Sequence, residues 1–214
     1  MQIVKPDAYI ITHTPNILAV IEGAARNCYQ TAPREEGREA FLRRVVLELR
    51  HESVLEHASV TVKVICDRGT SHALVRHRHT AYSQESSRYC NYSKGRFDHV
   101  VRMIEPLPQG HPAYPVWLEG MNQLEKVYFE MLRLGATTDQ ARGALPTCAK
   151  TALVMTANIR EWRHIFRLRT SPEAHEQVQA IMGLLLSHFA ERWPVLFEDI
   201  VLERAKEVGD VGAA

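Results

Sequence analysis

The sequence predicts an α+β fold: an antiparallel sheet core flanked by long helices. Three observations carry that expectation. Residues 58–66, Ala-Ser-Val-Thr-Val-Lys-Val-Ile-Cys, alternate in polarity and are rich in β-branched side chains, the pattern of a strand. Several other stretches repeat apolar residues at helical spacing. Strands and helices are interspersed without βαβ regularity, and no internal repeat, low-complexity tract or linker interrupts them. The 214 residues fit a single domain, 1–214, large enough to bury a sizeable core.

The elements follow in order. Residues 2–12, with Ile3, Val4, Ile10 and Ile11, read as an edge strand. Residues 15–30 suit a helix, with Ile17, Val20, Ile21 and Ala24 on one face. Residues 36–51 suit another, since Leu42, Val45, Val46 and Leu49 fall at i, i+3, i+4 and i+7. After the strand at 58–66, Asp67-Arg68-Gly69-Thr70 reads as a turn. Thr70 or Ser71 would then cap a helix running to Arg76. Residues 98–104 read as a second strand returning toward the first. Pro106, Pro108, Gly110 and Pro112 break the chain before a long helix with Trp117, Met121, Leu124, Tyr128 and Met131 on one stripe. Gly135 suits the residue just past its end. Thr138–Ala144 reads as a short helix stopped by Pro146, residues 147–157 as a strand, and Asn158–Leu168 as a helix. Ser171-Pro172 reads as a cap followed by proline in the first turn, opening a helix through Arg192. Its stripe is Ala174, Val178, Ile181, Leu185 and Phe189.

Charge narrows the function classes. The formal net charge of +1 does not suit a general nucleic-acid coater. Positive charge is instead local. Arg68 to Arg102 holds seven Lys/Arg against two acids, Gln140 to Thr170 six against one, and the remainder is net acidic. Arginine supplies 20 of the 26 cations, which favours planar, bidentate contacts over mere solubility. Two separate basic segments in an otherwise acidic chain suggest convergence on an anionic ligand. No signal segment and no run of 18 apolar residues is visible, so no membrane span is expected. Cys28, Cys66, Cys90 and Cys148 lack CxxC spacing, which suits a cytoplasmic protein with reduced thiols.

The sharpest local feature is Arg76-His77-Arg78, followed after seven residues by Ser86-Ser87-Arg88-Tyr89. Guanidinium forks match phosphate oxygens, and serine hydroxyls and turn amides add donors. Taken alone, the run would be a basic surface patch. Neither GxGxxG nor GxxxxGK[ST] occurs, so a nucleotide would be held by side chains and ordinary helix ends. The segment His51-Glu52-Ser53-Val54-Leu55-Glu56-His57, with His72, His77 and His79, invites a metal reading. HExxH spacing is missing, however, and satisfied structural histidines are the simpler expectation, with no metal.

Arg-His-Arg with its spaced Ser-x-Arg-Tyr resembles the signature of the flavin-dependent thymidylate synthases. Other blocks fall in that family's order: Ala24-Ala25-Arg26-Asn27-Cys28-Tyr29, His51 to His57, Ala141-Arg142-x-x-Leu145-Pro146, Asn158-x-Arg160, and Leu168-Arg169 ahead of Ala174-His175. The resemblance covers roughly residues 20–200. It implies methylation of dUMP to dTMP, with methylene-tetrahydrofolate as carbon donor, FAD as redox carrier and NADPH as reductant. It also implies an intertwined homotetramer whose sites are shared between subunits, without nucleic-acid or membrane partners.

By the same resemblance, Arg76, His77 and Arg78 would hold FAD, with Ser53 supplied by a neighbouring subunit. Asn158, Ile159, Arg160 and His164 would flank the flavin. Gln84, Glu85, Ser86, Ser87, Arg88 and Arg142 would hold dUMP, with Ser86 and Arg88 at its phosphate, Gln84 reaching the cofactor too, and Ala73, Leu74, Val75 and Arg76 alongside. Arg169 would contact the uracil and stabilise charge developing there. The chain departs from the family pattern at Ala73, Ala81, Ser83-Gln84 and His164, where the family usually has Gln, Ser, Asn-Glu and Asn. A metal-dependent nucleotide phosphohydrolase is an alternative. So is an RNA-binding module stacking bases on Tyr82, Tyr89, Tyr92 and Phe97.

Overall fold

The computed structural model describes residues 1–211. The chain runs β1 (Gln2–Ile3), β2 (Asp7–His13), α1 (Ile17–Asn27), α2 (Arg38–Leu42), β3 (Ser59–Asp67), α3 (Arg68–Leu74), β4 (Ala81–Gln84) and β5 (Arg102–Met103). It continues through α4 (Tyr114–Arg133), α5 (Thr138–Ala141), β6 (Lys150–Asn158), α6 (Ile159–Arg169), α7 (Glu176–Arg192) and α8 (Pro194–Val211). The class is as expected: helices with an antiparallel sheet, ordered β2-β3-β6-β4.

Alternation makes the sheet. Val60, Val62, Val64 and Cys66 of β3 and Thr151, Leu153, Met155 and Ala157 of β6 are all buried, while their neighbours are only partly covered. Successive side chains of a strand point to opposite faces, so one face is buried and, Thr151 apart, apolar. Burial pushes the Cys66 thiol up to about 12, as a structural cysteine requires.

Packing divides the chain into two units. The first comprises residues 1–7, 64–74 and 83–153. Its core gathers Tyr92, Val101, Met103, Tyr128, Ala141 and Cys148, with Trp117 and Met121 of α4 against them. The Tyr128 hydroxyl accepts from the Tyr92 amide, so the aromatic core also satisfies a buried backbone donor. The second unit comprises residues 8–63, 75–82 and 154–214. There Trp162, Phe166, Phe189, Trp193 and Phe197 of the α6–α8 region pack mostly edge to face. Such rings bury large areas and favour offset geometry.

Several expectations change. The edge strand at 2–12 is two strands, because Pro6 offers no amide for a ladder. Residues 98–104 yield only β5, which pairs in parallel with β1 rather than returning to β3. The helix at 36–51 loosens to a π-helical turn over Arg43–Glu48. The wider turn rotates the later residues, so Leu42, Val45 and Val46 stay buried while Leu49 is exposed. Asp67, not Thr70 or Ser71, caps α3, its carboxylate accepting the Thr70 amide at 2.5 Å, and the helix ends at Leu74. The α7 helix starts at Glu176 rather than at Ser171, whose hydroxyl donates to the Leu168 carbonyl instead. Beyond Arg192, α8 completes the second unit.

A buried acid joins α1 to the segment after it. Glu22 is fully buried and accepts from Arg26, from Arg38 and from the Arg34 amide at 2.6–2.9 Å. Burial alone would raise its pKa; the donors outweigh burial and hold it at about 2.

Candidate active site

The expected site residues form two clusters, one in each unit. In the second unit α6 does most of the positioning. Asn158 caps it, its side chain accepting the Glu161 amide at 2.8 Å, which fixes the helix start at the end of β6. The Asn158-x-x-Glu161 spacing is that of a capping box, yet the Glu161 carboxylate turns elsewhere. Its Oε1 lies 3.5 Å from His77 Nδ1. Arg169, at the end of the same helix, donates from Nε to His77 Nε2 at 2.9 Å.

The Arg-His-Arg run therefore splits by exposure. Arg76 and Arg78 are exposed, while His77 between them is 4% exposed. His77 is held at a pKa of about 4 by burial, by the Arg169 charge and by His164, whose ring stands edge-on 5.8 Å away. Arginine keeps its protons, so the Nε2 atom facing Arg169 must be the acceptor, and the neutral ring carries its proton on Nδ1, toward Glu161. The same fact weighs against the metal reading. His77, Glu161 and His164 do bring ligand atoms within 4.8 Å of one another. With one ring nitrogen bonded to Arg169 and the other protonated, however, His77 has no lone pair left for a cation.

Next to this network lies a cleft of about 590 Å³, lined by Glu52, Glu56, His79, Asn158, Arg160, Glu161, His164 and Arg167. That size is ordinary for a small-molecule or cofactor site. Arg160 pairs with Glu56 at 2.5 Å, and Arg167 with Asp199 at 2.9 Å. Expected flavin neighbours Asn158, Arg160 and His164 thus meet in one cleft. Ile159 does not present its side chain there: it is fully buried, leaving only its backbone to a ligand. Ser53 is exposed, in the short 3-10 segment Glu52–His57 before β3.

In the first unit, two arginines far apart in sequence meet on one acid. Arg88 and Arg142 reach the same Asp139 oxygen at 3.2 and 2.9 Å. A capping box opens α5, with Thr137 and Gln140 exchanging side-chain and backbone bonds, and so sets Asp139 and Arg142 in place. The Ser86 hydroxyl accepts the Arg88 amide at 3.3 Å, and its carbonyl accepts the Cys90 amide at 2.9 Å, forming a tight turn. Ser87 is buried. Gln84 donates to Ser71 and Thr151 at 3.0 and 3.2 Å. Glu85 is held by Lys150 at 2.6 Å and by the Tyr92 hydroxyl at 3.3 Å, so a structural ion pair occupies it. Leu74 is fully buried, Ala73 partly so, and Val75 is exposed.

Asp139, Lys150 and Glu161 were not anticipated. Asp139 and Glu161 each sit in the first turn of a helix, where an acid reads as a dipole partner. The base-stacking alternative loses two of its four rings: Tyr92 is buried and Phe97 packs edge-on against it, while Tyr89 stays exposed.

The model for the thymidylate synthase complementing proteins matches residues 9–195. The chain belongs to this family. Among its relatives is a flavin-dependent thymidylate synthase of Geobacter sulfurreducens, 33% identical over 89% of this chain and 84% of the relative. Another, of Mycobacteroides abscessus, is 32% identical over 92% and 85%. One from Pyrococcus abyssi is 33% identical over 69% of this chain, which spans 61% of that protein's length. Two solved structures share the family fold. The UMP/dUMP methylase of Streptomyces cacaoi, bound with 5-Br dUMP, has a TM-score of 0.78 at 21% identity, covering 94% of this chain and 97% of the other. Thymidylate synthase X of Helicobacter pylori, with FAD and dUMP, has a TM-score of 0.73 at 22% identity, covering 91% and 98%. Among the described residues, no helix is long and apolar enough to cross a membrane.

Proposed function

We propose that the chain converts dUMP to dTMP by reductive methylation, with methylene-tetrahydrofolate as carbon donor and NADPH as reductant, and with the two side-chain clusters in distinct roles. The observation that carries this reading is the convergence of Arg88 and Arg142 on Asp139. Both are among the arginines expected at the nucleotide. A phosphate dianion arriving there would replace one shared carboxylate oxygen with several, and each guanidinium can present two donors to it. Ser86 and the turn it closes add hydroxyl and amide donors.

The 590 Å³ cleft suits the flavin dinucleotide by its donor set. Asn158, Arg160, His79, His164 and Arg167 offer amide, guanidinium and imidazole groups to a ligand with a pyrophosphate and a polar ring edge. Arg76 and Arg78, exposed on either side of His77, add cations. Bound FAD supplies the hydride-carrying chemistry, and the protein supplies position and charge. Arg169 holds a fixed guanidinium where negative charge grows on the pyrimidine, which needs no proton transfer from the arginine itself. Gln84, its amide nitrogen anchored to Ser71 and Thr151, is set to meet a base edge. The two units act as one domain, 1–214, since β3, β4 and β6 each run from one into the other. The working form is a cytoplasmic homotetramer, in which Ser53 serves a neighbouring subunit's flavin.

Tritium release from 5-tritiated dUMP, with FAD, NADPH and methylene-tetrahydrofolate present, tests the assignment. Arg88→Ala should raise KM for dUMP by roughly tenfold or more, the scale of a charge-assisted contact, with kcat largely kept. Arg169→Ala should keep FAD yet lose turnover by about 10² or more. An unchanged KM in Arg88→Ala would remove the phosphate assignment, and wild-type protein without flavin binding or tritium release would remove the synthase reading.

A further inference from the structure

The Glu161–His77–Arg169 chain contains a residue with no role in the reading above. Glu161 is 9% exposed, sits in the first turn of α6, and directs its carboxylate at a histidine rather than at solvent or at the helix cap. His77 is the middle link. Its carbonyl accepts from the Tyr82 hydroxyl at 3.1 Å, which holds the backbone on which the ring is mounted. The ring has two ends: Nε2 on Arg169 at 2.9 Å and Nδ1 toward Glu161 at 3.5 Å.

A free neutral histidine side chain prefers its proton on Nε2. In that tautomer an N–H would face the Arg169 N–H, and the contact would be repulsive. The bond to Arg169 therefore exists only if the proton sits on Nδ1, and a carboxylate beside Nδ1 is the group that draws it there. We propose that Glu161 is a positioning residue: through the His77 ring it fixes the direction of the Arg169 guanidinium. This rests on the role given to Arg169 above. The logic is that of a carboxylate orienting a histidine, but here the histidine neither gives nor takes a proton. It serves as a neutral acceptor holding a cation by its Nε–H, which sets the plane of the guanidinium.

Three features support this. His77 is buried and stays neutral over the working pH range, so the acceptor is not lost by protonation. Glu161 and Arg169 lie on the same helix, so their separation is set by a rigid element rather than a loop. The Arg169 side chain is itself partly buried, which limits the other orientations it can take.

Nitrogen NMR of the histidine and arginine side chains tests the proposal without substrate. In wild-type protein, loaded with FAD, His77 should show a protonated Nδ1 and a bare Nε2, and the Arg169 Nε–H should be protected from exchange. The His77 signals are assigned by their loss in His77→Gln. In Glu161→Leu the Nδ1–H population should fall, the Arg169 Nε–H should exchange faster, and kcat should drop by roughly 10- to 100-fold with FAD binding kept. Glu161→Gln retains an acceptor for Nδ1–H and should recover most of both the tautomer and the turnover lost in Glu161→Leu. Should Glu161→Leu fail to fold, the wild-type tautomer and the Glu161→Gln spectrum still decide. A wild-type His77 protonated on Nε2, or a folded Glu161→Leu with wild-type tautomer, Arg169 exchange and kcat, overturns the proposal. If the tautomer and exchange results hold while no variant, nor wild type, releases tritium from dUMP, the positioning network stands and the synthase reading fails.

Discussion

The residues with the clearest electrostatic signature are those the sequence presented as one motif and the fold separated. Arg76, His77 and Arg78 look equivalent as three cations in a row. Folding exposes two and buries the third, and burial with Arg169 beside it lowers His77 to about 4. The unfolded chain binds that proton near 6.5, so between pH 6.5 and about 4 the unfolded state holds more protons than the folded one. Stability contributed by neutral His77 is therefore complete above 6.5 and declines as pH falls through this window. Lowering the ring from 6.5 to about 4 corresponds to about 3 kcal/mol. Urea unfolding at a series of pH values should show that decline in wild type and a flatter one in His77→Gln. Equal slopes would mean another group titrates. The motif itself was legible from residue types and spacing. Its division into exposed and buried members was not, because Glu161 and Arg169 lie some ninety residues away in sequence.

At the level of elements, periodicity located α1, β3, α4, β6 and α6 to within a few residues, since each keeps a simple period. It failed where a local device intervened. The π-helical turn at Arg43–Glu48 breaks the 3.6-residue register and moves Leu49 outward. The four-residue β4 is too short to show alternation. The α8 helix contributes Val195, Leu196, Phe197 and Ile200 to the core in its first two turns, then turns charged. Its hold on α6 is both apolar, through Phe197 against Phe166, and ionic. Arg163 is fully buried and grips Asp199 with both terminal nitrogens, at 2.9 and 2.6 Å, and also donates to the Leu196 carbonyl. Removing one partner leaves a buried guanidinium short of acceptors, so Asp199→Ala should cost about 3 kcal/mol. A urea midpoint shift equivalent to under about 0.5 kcal/mol, the scale of surface substitutions, would show that the pair is dispensable.

At the scale of the whole molecule, the α+β class and the family followed from several separated blocks in order. The homotetramer is only what the resemblance implies, because the surfaces that meet in an assembly carry no period of their own. Exposed apolar side chains are consistent with self-association: Tyr9 and Ile11 on edge strand β2, Val116, Val127 and Leu134 on or just after α4, and Leu202 on α8. If the sites are shared, the protein should elute well above its 24.4 kDa chain mass, and specific activity should fall on dilution as subunits separate. Light scattering and activity measured over the same concentration series check this. A monomer with full activity would place every site residue in one chain.

The acid buried under α1 has a kinetic consequence. Residues 28–37 form an irregular, solvent-exposed segment; the amides of Cys28, Tyr29, Gln30 and Thr31 bond back to the end of α1, and the stretch beyond should exchange its amide hydrogens with deuterium quickly. In that stretch the Arg34 N–H is held, bonded to Glu22, itself 0% exposed. Its exchange must wait for the Arg26–Glu22–Arg38 cluster to open. Over residues 32–37, deuterium uptake should therefore show Arg34 slower than its neighbours, and Glu22→Gln, which weakens both arginine bonds, should bring Arg34 closer to their rate. The segment is then two short loops on either side of a fixed point, each freer to accept insertions than residue 34 itself.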